Sequence, residues 1–209
     1  MKYANVPPLN AAAVLKRYGL RADKALGQNF LQDESALIKI VDAAEILGDD
    51  CVLEIGPGLG SLTRYLAVSA RKVTAVELDR DLLAPLQAVL SPYQNVRVVH
   101  GDILEQNIPE LIDQPNYIVA ANIPYNITSA IIRHLLEAQP QPEELVVMVQ
   151  REVARELAAR PGSLSLLGIS VQVYAEAELL FDVRPDAFDP PPNVWSSVVR
   201  LRLRARPLV

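Results

Sequence analysis

The sequence predicts a doubly wound α/β domain, in which helices cover both faces of a mostly parallel sheet that ends in a late antiparallel hairpin. Short apolar runs alternate with helical patterns from about residue 51 to residue 150. Runs that are apolar throughout are typical of strands buried on both faces. Two more strand-like runs follow close together near the end of the chain, which predicts an antiparallel pair at one edge of the sheet.

Two helices with clear start signals come first. Asn10 is a candidate N-cap for a helix over residues 11–18, and Gly19 is placed to end it. Asp33 precedes a second helix, whose apolar residues recur at helical spacing. The segment between them, residues 20–31, is predicted to be a loop.

Strands and helices then alternate. The predicted strands are 51–55, 72–77, 96–100, 116–121 and 145–150, followed by the late pair 178–183 and 197–203. The predicted helices are 61–69, 81–90, 103–112 (short and broken), 128–138, 151–159 and 164–174. Such folds bind ligands at the carboxyl ends of their parallel strands, so the residues after each strand are the candidate site residues.

Composition excludes several classes of protein. Half of the 209 residues are hydrophobic and 22% are charged, as in ordinary folded domains. The single cysteine, Cys51, cannot form an internal disulfide, and we expect it to be buried in a cytoplasmic protein. No run is long enough to span a membrane, the N-terminus does not resemble a signal peptide, and His100 and His134 are isolated, so we expect no membrane and no metal.

The first strand leads into a loop that contains Gly56, Gly58 and Gly60, where bare backbone lets a ligand approach closely. The second strand ends in Glu77, which can accept both hydroxyl hydrogens of a ribose. Asp102, after the third strand, offers a carboxylate to an adenine amino group. Glycines and a ribose-binding acid fit a dinucleotide or S-adenosyl-L-methionine. The Gly-x-Gly-x-Gly spacing and Asp102 favour S-adenosyl-L-methionine.

The most informative stretch follows the fourth strand and reads Asn122-Ile123-Pro124-Tyr125-Asn126. The amino group of adenine is a poor nucleophile because its lone pair is delocalised into the ring. The Asn122 side-chain oxygen and the Ile123 carbonyl can accept both amino hydrogens and turn the lone pair outward. Pro124 restricts the backbone that carries this carbonyl, and the Tyr125 ring offers a face for stacking a base. The stretch therefore indicates methylation of adenine N6.

These motifs resemble those of the small-subunit ribosomal RNA adenine dimethyltransferases (the KsgA type) over about residues 26–203. The shared motifs also include segments 26–31, 150–154 and 187–192. The resemblance implies a Rossmann-like methyltransferase that dimethylates two adjacent adenines near the 3′ end of small-subunit rRNA. Its partner would be that RNA or a pre-small-subunit particle, and we expect a cytoplasmic monomer.

The resemblance also assigns roles to individual residues. Asn29 and Leu31 would touch the methionine end of the cofactor, and Phe188 would pack against the target adenine opposite Tyr125. The predicted catalytic residues are Asn122, Ile123, Pro124, Tyr125 and Phe188. The predicted cofactor-binding residues are Gln28, Asn29, Leu31, Gly56, Gly58, Gly60, Glu77, Leu78, Asp102, Ile103 and Asn122.

We interpret residues 1–209 as one catalytic domain, with 1–33 forming an N-terminal helix and a loop over the cofactor, and without the family's helical C-terminal domain. The sequence departs from the family where Lys-Val-Asp-Ser is usual and Asn193-Val194-Trp195-Ser196 stands instead. The lost lysine removes a phosphate contact, and we interpret Trp195 as a packing substitution. The sequence pI of about 5.1 is acidic for an RNA-binding enzyme.

Two groups of cations are candidates for contact with RNA phosphates. We prefer the group next to the predicted cofactor loop, which consists of Lys16, Arg17, Arg21 and Lys24. The other group, Arg200, Arg202, Arg204 and Arg206, alternates with apolar residues and fits either an RNA contact or an edge strand protected by charge.

Three other functions are alternatives to a small-subunit rRNA adenine dimethyltransferase. A large-subunit rRNA adenine methylase of the antibiotic-resistance type shares the fold, the cofactor and the Asn-x-Pro-aromatic motif. A non-catalytic ribosome-assembly factor could keep the fold, but the intact Asn122–Tyr125 stretch argues against it. A nicotinamide-dependent oxidoreductase is disfavoured by the glycine spacing.

Overall fold

The computed structural model of the chain describes residues 2–112 and 114–208. Within these residues the strands are β1 (Phe30–Leu31), β2 (Cys51–Ile55), β3 (Lys72–Glu77), β4 (Val96–His100), β5 (Tyr117–Asn122), β6 (Glu144–Gln150), β7 (Ala175–Val183), β8 (Phe188–Asp189) and β9 (Ser196–Leu203). The α-helices are α1 (Ala11–Arg17), α2 (Glu34–Ala43), α3 (Ser61–Ser69), α4 (Leu83–Leu90), α5 (Ile108–Leu111), α6 (Thr128–Glu137), α7 (Arg151–Leu157) and α8 (Leu166–Gln172).

The main sheet has the strand order β4-β3-β2-β5-β6-β9-β7. Strands β4, β3, β2, β5 and β6 run parallel to one another, while β9 is antiparallel to both β6 and β7. Because the chain moves outward from β2 first to one side and then to the other, the strand order reverses between β2 and β5. In doubly wound folds this is the point at which ligands bind.

Local sequence accounts for most element boundaries. Asn10 and Asp33 act as N-caps, accepting hydrogen bonds from Ala13 N (2.8 Å) and Ala36 N (2.9 Å). The bounds of β2, β3, β4 and α3 are those predicted. The predicted helix over 81–90 is instead a 3₁₀ turn (Arg80–Leu82) followed by α4, and Asp79 caps the turn.

The late hairpin forms, but the interpretation of its second strand as an edge strand is wrong. Strand β9 hydrogen-bonds to β6 on one side and to β7 on the other, so β7 is the edge. The arginines of this region are engaged by carboxylates in the pairs Arg200–Glu45, Arg200–Glu178, Arg202–Glu45, Arg202–Glu144 and Arg204–Glu176. These cations stabilise the sheet face instead of protecting an edge.

The core lies on both faces of the sheet. One cluster packs α5, α6 and α8 against one face, and a second packs α2 and α3 against the other. A third, smaller cluster seats α1 beside the glycine loop, through Ala11, Leu15, Phe30, Leu59 and Leu82. Cys51 is buried in β2, as predicted. Among the described residues, no helix combines the length and apolarity needed to cross a bilayer.

Candidate functional site

A cleft opens where the sheet order reverses, at the carboxyl ends of β2, β3, β4 and β5. It encloses about 1040 Å³, part of which is open to solvent. The strand ends contribute Glu54, Glu77, Asp102 and Asn122 to its wall, and the loop over 26–31 covers one side. The topology thus brings into one cavity residues that are separated by almost 70 positions in the sequence.

The glycine loop forms one wall of the cleft because its backbone adopts conformations that other residues avoid. Gly56 and Gly58 have φ angles of +64° and +58°. A Cβ atom on Gly58 would lie 3.0 Å from a ring carbon of Phe30, so a side chain there would meet both strain and a clash. The Gly58 N–H also donates to Glu77 Oε2 at 2.9 Å, which joins this loop to the end of β3.

The Glu77 carboxylate is held in place at the edge of the cleft. Its two oxygens accept the N–H groups of Gly58 (2.9 Å) and Asp79 (2.8 Å), and the residue is only 5% exposed. Burial raises the pKa of Glu77, and the hydrogen bonds from Asp79 and Gly58 oppose that shift. Each oxygen retains a lone pair for a ligand hydroxyl.

Asp102 lies in the cleft wall beyond β4. Its Oδ1 accepts the Leu104 N–H at 2.9 Å, while within the described ranges nothing donates to Oδ2. One carboxylate oxygen therefore remains for a ligand donor. Leu78 and Ile103, also predicted for the cofactor, line the same cleft.

Loop 26–31 is joined to the cleft by polar contacts from Gln28 and Asn29. The Gln28 side chain donates to Asp79 Oδ2 at 2.6 Å and accepts from Asp23 N at 2.8 Å. Asn29 donates through Nδ2 to Gly27 O at 3.0 Å. Both residues line the cleft together with Leu31. The side-chain amide of Gln28 is engaged by Asp79 and Asp23, and these bonds fasten the loop to the end of β3.

The stretch after β5 presents two hydrogen-bond acceptors to the cleft. Asn122 Nδ2 donates to Asn29 O at 3.4 Å, and within residues 2–112 and 114–208 no group donates to Asn122 Oδ1. The Ile123 side chain is 1% exposed, and its N–H donates to Met148 O at 3.1 Å. The Ile123 carbonyl likewise has no donor among the described residues. Two fixed and unused acceptors can receive both hydrogens of an amino group.

Tyr125 lines the cleft next to these acceptors and is anchored by a residue that we did not predict. Its hydroxyl lies 2.6 Å from the Oγ of Ser196, at the start of β9. Ser196 is fully buried, and burial raises the pKa of the Tyr125 hydroxyl. This hydrogen bond limits the movement of the ring.

Two predicted site residues do not line the cleft. Gly60 has a φ of +85° and begins α3, where a Cβ atom would lie 3.2 Å from Leu86 and Leu90. Its requirement for glycine comes from this backbone conformation and from the packing of the helices. Phe188 is 5% exposed and belongs to the core cluster beneath α2, with its backbone paired to Leu31 in the small sheet of β1 and β8. In this conformation its ring is not available for stacking against a base in the cleft.

The four cations predicted to contact RNA lie on the surface near the loop over the cleft. Lys16, Arg17, Arg21 and Lys24 are all exposed. No carboxylate of the described part of the chain lies within salt-bridge distance of them. The two groups of cations thus differ, since three of the four arginines around β9, Arg200, Arg202 and Arg204, are paired with glutamates. No group of three potential metal ligands occurs in the described residues.

Glu54 is a buried acid in the cleft wall whose charge state depends on the fold. It is 2% exposed, and its Oε2 has no hydrogen-bond partner in the described residues. Burial raises the pKa of Glu54 from 4.5 to about 8, and the nearby Glu77 carboxylate adds to the shift.

We expect this shift to make the protein less stable as the pH rises. The unfolded chain loses the Glu54 proton near pH 4.5, whereas the folded chain keeps it to about pH 8. The stabilisation is complete below pH 4.5 and is lost through this window, by up to about 1.4 kcal/mol per pH unit. Urea unfolding at several pH values should show a shallower loss for Glu54→Gln than for the wild type, and an equal slope would contradict the assignment. Some slope will remain, because the pKa of Glu77 is raised as well.

Sequence reasoning missed Ser196, Asp79 and the side chain of Glu54 as contributors to the site. Ser196 is 71 positions from Tyr125, and no local pattern links the two. The place of Asp79 two residues after Glu77 is a signal for a role at this strand end, but its contact with Gln28 depends on how the N-terminal loop folds back.

Comparison with known proteins relates the chain to rRNA methyltransferases. The family model described as "Ribosomal RNA adenine dimethylase" matches residues 19–209. The ribosomal RNA small subunit methyltransferase A of Alkaliphilus metalliredigens is 42% identical over 98% of this chain and 73% of its own length. The protein of the same name from Geobacillus kaustophilus is 46% identical over 97% of this chain and 71% of its own length.

Solved structures give the same picture of the fold. The 23S rRNA methyltransferase ErmE superposes with a TM-score of 0.78 at 39% identity, over 87% of this chain and 72% of that one. A dimethyladenosine transferase from Plasmodium falciparum superposes with a TM-score of 0.75 at 32% identity, over 84% of this chain and 63% of that one. The Rossmann-like methyltransferase fold predicted from the sequence is confirmed.

Proposed function

The chain belongs to the ribosomal RNA adenine dimethylase family, and on that basis we propose that it dimethylates N6 of two adjacent adenines near the 3′ end of small-subunit rRNA. The observation that carries the proposal is the pair of unused acceptors, Asn122 Oδ1 and the Ile123 carbonyl, in the same cleft as Glu77 and Asp102. An amine-orienting pair beside a nucleoside-binding wall is what methylation of an adenine amino group requires.

The residues of the cleft fit S-adenosyl-L-methionine. Glu77 would hold the ribose hydroxyls, and the free oxygen of Asp102 would accept from the adenine amino group. The bare backbone at Gly56 permits close approach, and the unpartnered oxygen of Glu54 in the cleft wall is left for a hydrogen bond to the ligand. When bound, the cofactor supplies an electrophilic methyl group on a positively charged sulfur.

The residues of the chain then have to prepare the amino group of the substrate. Asn122 Oδ1 and the Ile123 carbonyl accept its two hydrogens, so that the nitrogen becomes more tetrahedral and its lone pair points along the line of attack. The Tyr125 ring stacks on the base and keeps it in this orientation. Transfer of the methyl group would break its bond to sulfur and leave the amino nitrogen cationic. The nitrogen would then lose a proton readily to water, so no strong base is needed next to it.

The choice of the small subunit is supported by the curated relatives, which are 42–46% identical and carry the name small subunit methyltransferase. The similarity to ErmE, a 23S rRNA methyltransferase, is 39% and keeps the large subunit as the second candidate substrate. We also propose that residues 1–33 cover the cofactor, and that Lys16, Arg17, Arg21 and Lys24 contact RNA phosphates, because these cations are exposed and precede in sequence the loop over 26–31 that lines the cleft.

The test is transfer of labelled methyl groups from S-adenosyl-L-methionine to undermethylated small ribosomal subunits, with large subunits alongside. We expect label in the small subunit, recovered as dimethyladenine after digestion. Label confined to the large subunit would support the second candidate. Cofactor binding without transfer to either subunit would contradict the enzymatic proposal and favour a non-catalytic assembly factor.

The contact between Tyr125 and Ser196 should matter for turnover. Tyr125→Phe and Ser196→Ala each remove one hydroxyl of a buried pair and leave the other without a partner, so we expect each to lower kcat by roughly five- to tenfold. The double variant should be no slower than the slower single one, because both changes break the same contact. Single-turnover kinetics at saturating RNA and cofactor would measure this.

The neighbouring Ser197 provides the matched control for this experiment. It is also fully buried, but its hydroxyl donates to Asp182 at 2.5 Å, away from Tyr125. Ser197→Ala should leave kcat unchanged and combine additively with Tyr125→Phe. Additive losses for Tyr125→Phe with Ser196→Ala would show that the hydrogen bond does not position the ring.

A further inference from the structure

Trp195, which we interpreted as a packing substitution, is exposed at the surface. Its side chain is 39% exposed, and the Arg151 guanidinium carbon lies 5.2 Å from the centroid of its indole ring. The backbone also joins the two residues, since Arg151 N donates to Trp195 O at 3.0 Å. An aromatic ring and a cation are therefore held together at the surface.

This pair lies at the edge of the sheet where the cleft opens. Strand β6 ends at Gln150, which pairs with Ser196 at the start of β9. Arg151 comes directly after Gln150 and Trp195 directly before Ser196, so the two residues are neighbours at the same end of the β6–β9 pair. Ser196 is the residue whose hydroxyl holds Tyr125. Ser196 is fully buried against Tyr125, whereas Trp195, the residue just before β9, is exposed to solvent. The pair is thus continuous with the wall that holds the proposed target base.

The charge of Arg151 is available for a ligand. No carboxylate of residues 2–112 and 114–208 lies within salt-bridge distance of it. By contrast, glutamates pair with three arginines near the C-terminal end of the chain, namely Arg200, Arg202 and Arg204. Arg155, one turn further along α7, is also exposed. The acids nearest to Arg151 in the sequence are Glu152 and Glu156 on the same helix.

We propose that Trp195 and Arg151 bind the nucleotide next to the target adenine in single-stranded RNA. The exposed ring provides a stacking surface for the base, and the guanidinium neutralises the adjacent phosphate. An aromatic ring and an unpaired cation together match a nucleotide better than they match an apolar protein surface. This inference rests on the proposed function, because it takes the substrate to be RNA that enters the cleft at Tyr125.

Trp195 is the only tryptophan of the chain, so its fluorescence reports on this site independently of methyl transfer. The probe is a synthetic single-stranded RNA oligonucleotide with two adjacent adenines, labelled for anisotropy. We expect saturable binding that quenches the tryptophan emission, and no quenching by S-adenosyl-L-methionine alone. Binding without quenching, or no saturable binding, would overturn the inference. Quenching by intact small subunits but not by the oligonucleotide would show that the surface does not bind single-stranded RNA by itself and would also overturn the inference.

Substitutions extend the test to turnover. Trp195→Ala and Arg151→Gln should each raise the KM for RNA roughly tenfold, with kcat and the affinity for cofactor unchanged. Leu179→Ala is the matched control, because Leu179 is also 39% exposed but lies within the edge strand β7. An unchanged KM in active Trp195→Ala would overturn this inference and leave the proposed function intact. If the wild type quenches with RNA but transfers no methyl group, the proposed function fails and the RNA site stands.

Discussion

Replacing Asn122 by alanine is expected to lower methyl transfer by about 100- to 1,000-fold. We propose that the side-chain oxygen of Asn122 is one of the two acceptors that orient the amino group, and within the described residues no group donates to it. Without it, the lone pair of the amine stays conjugated with the ring and no longer faces the methyl group. Single-turnover transfer to undermethylated small subunits would measure the loss.

The affinity for cofactor should change little in Asn122→Ala, because Glu77 and Asp102 would hold the nucleoside from other strands. Calorimetric titration with S-adenosyl-L-methionine would show this. Asn126→Ala is the matched control, since Asn126 belongs to the same motif but is exposed at the surface. It should retain activity. If Asn122→Ala lost transfer and cofactor binding together, the main role of Asn122 would be to hold the cofactor.

Replacing Glu77 by alanine is expected to have the opposite pattern, weakening the affinity for cofactor by roughly 10- to 100-fold. Hydrogen bonds to a charged carboxylate are the stronger ones, and Glu77 is held by Gly58 and Asp79 at the edge of the cleft. At saturating cofactor, turnover should recover most of the wild-type rate. Calorimetry and the dependence of the rate on cofactor concentration would measure the two effects.

Glu77→Ala also removes the acceptor for two backbone N–H groups, so its folding has to be checked by thermal unfolding. Glu77→Gln keeps the size of the side chain and one acceptor oxygen, and we expect an intermediate loss of affinity. Asp81→Ala provides the control, because Asp81 is an exposed acid only four residues away. Its affinity should equal that of the wild type. Reduced turnover with unchanged affinity in Glu77→Ala would contradict the assignment to the ribose.

These two substitutions separate binding from chemistry because the two ends of the cleft belong to different strands. Glu77 ends β3 and is held by the glycine loop, whereas Asn122 ends β5 and contacts the loop over 26–31 through Asn29. With no shared partner, their effects on the free energy of the transition state should add.

The order of strands and helices could be predicted from the sequence because it depends on local information. Buried parallel strands are mostly apolar, which predicts 51–55 and 72–77 with their correct bounds. The valine-rich strand 96–100 is also predicted with its correct bounds, although it lies at an edge of the sheet and is only partly buried. Asn10 and Asp33 cap helices through bonds to residues three positions away. The rule that ligands bind at the carboxyl ends of the strands then located Glu77, Asp102 and Asn122, all of which line one cleft.

Features that depend on contacts between distant segments are visible only in the folded chain. The tertiary structure placed β9 inside the sheet, buried Phe188 away from the cleft, used Gly60 for helix packing and exposed Trp195 beside Arg151. The bond between Tyr125 and Ser196 joins residues 71 positions apart. The physical reason is the range of the interactions. Caps and periodic patterns act within a few residues, whereas the neighbours of a strand and the burial of a ring are set by how the whole chain packs.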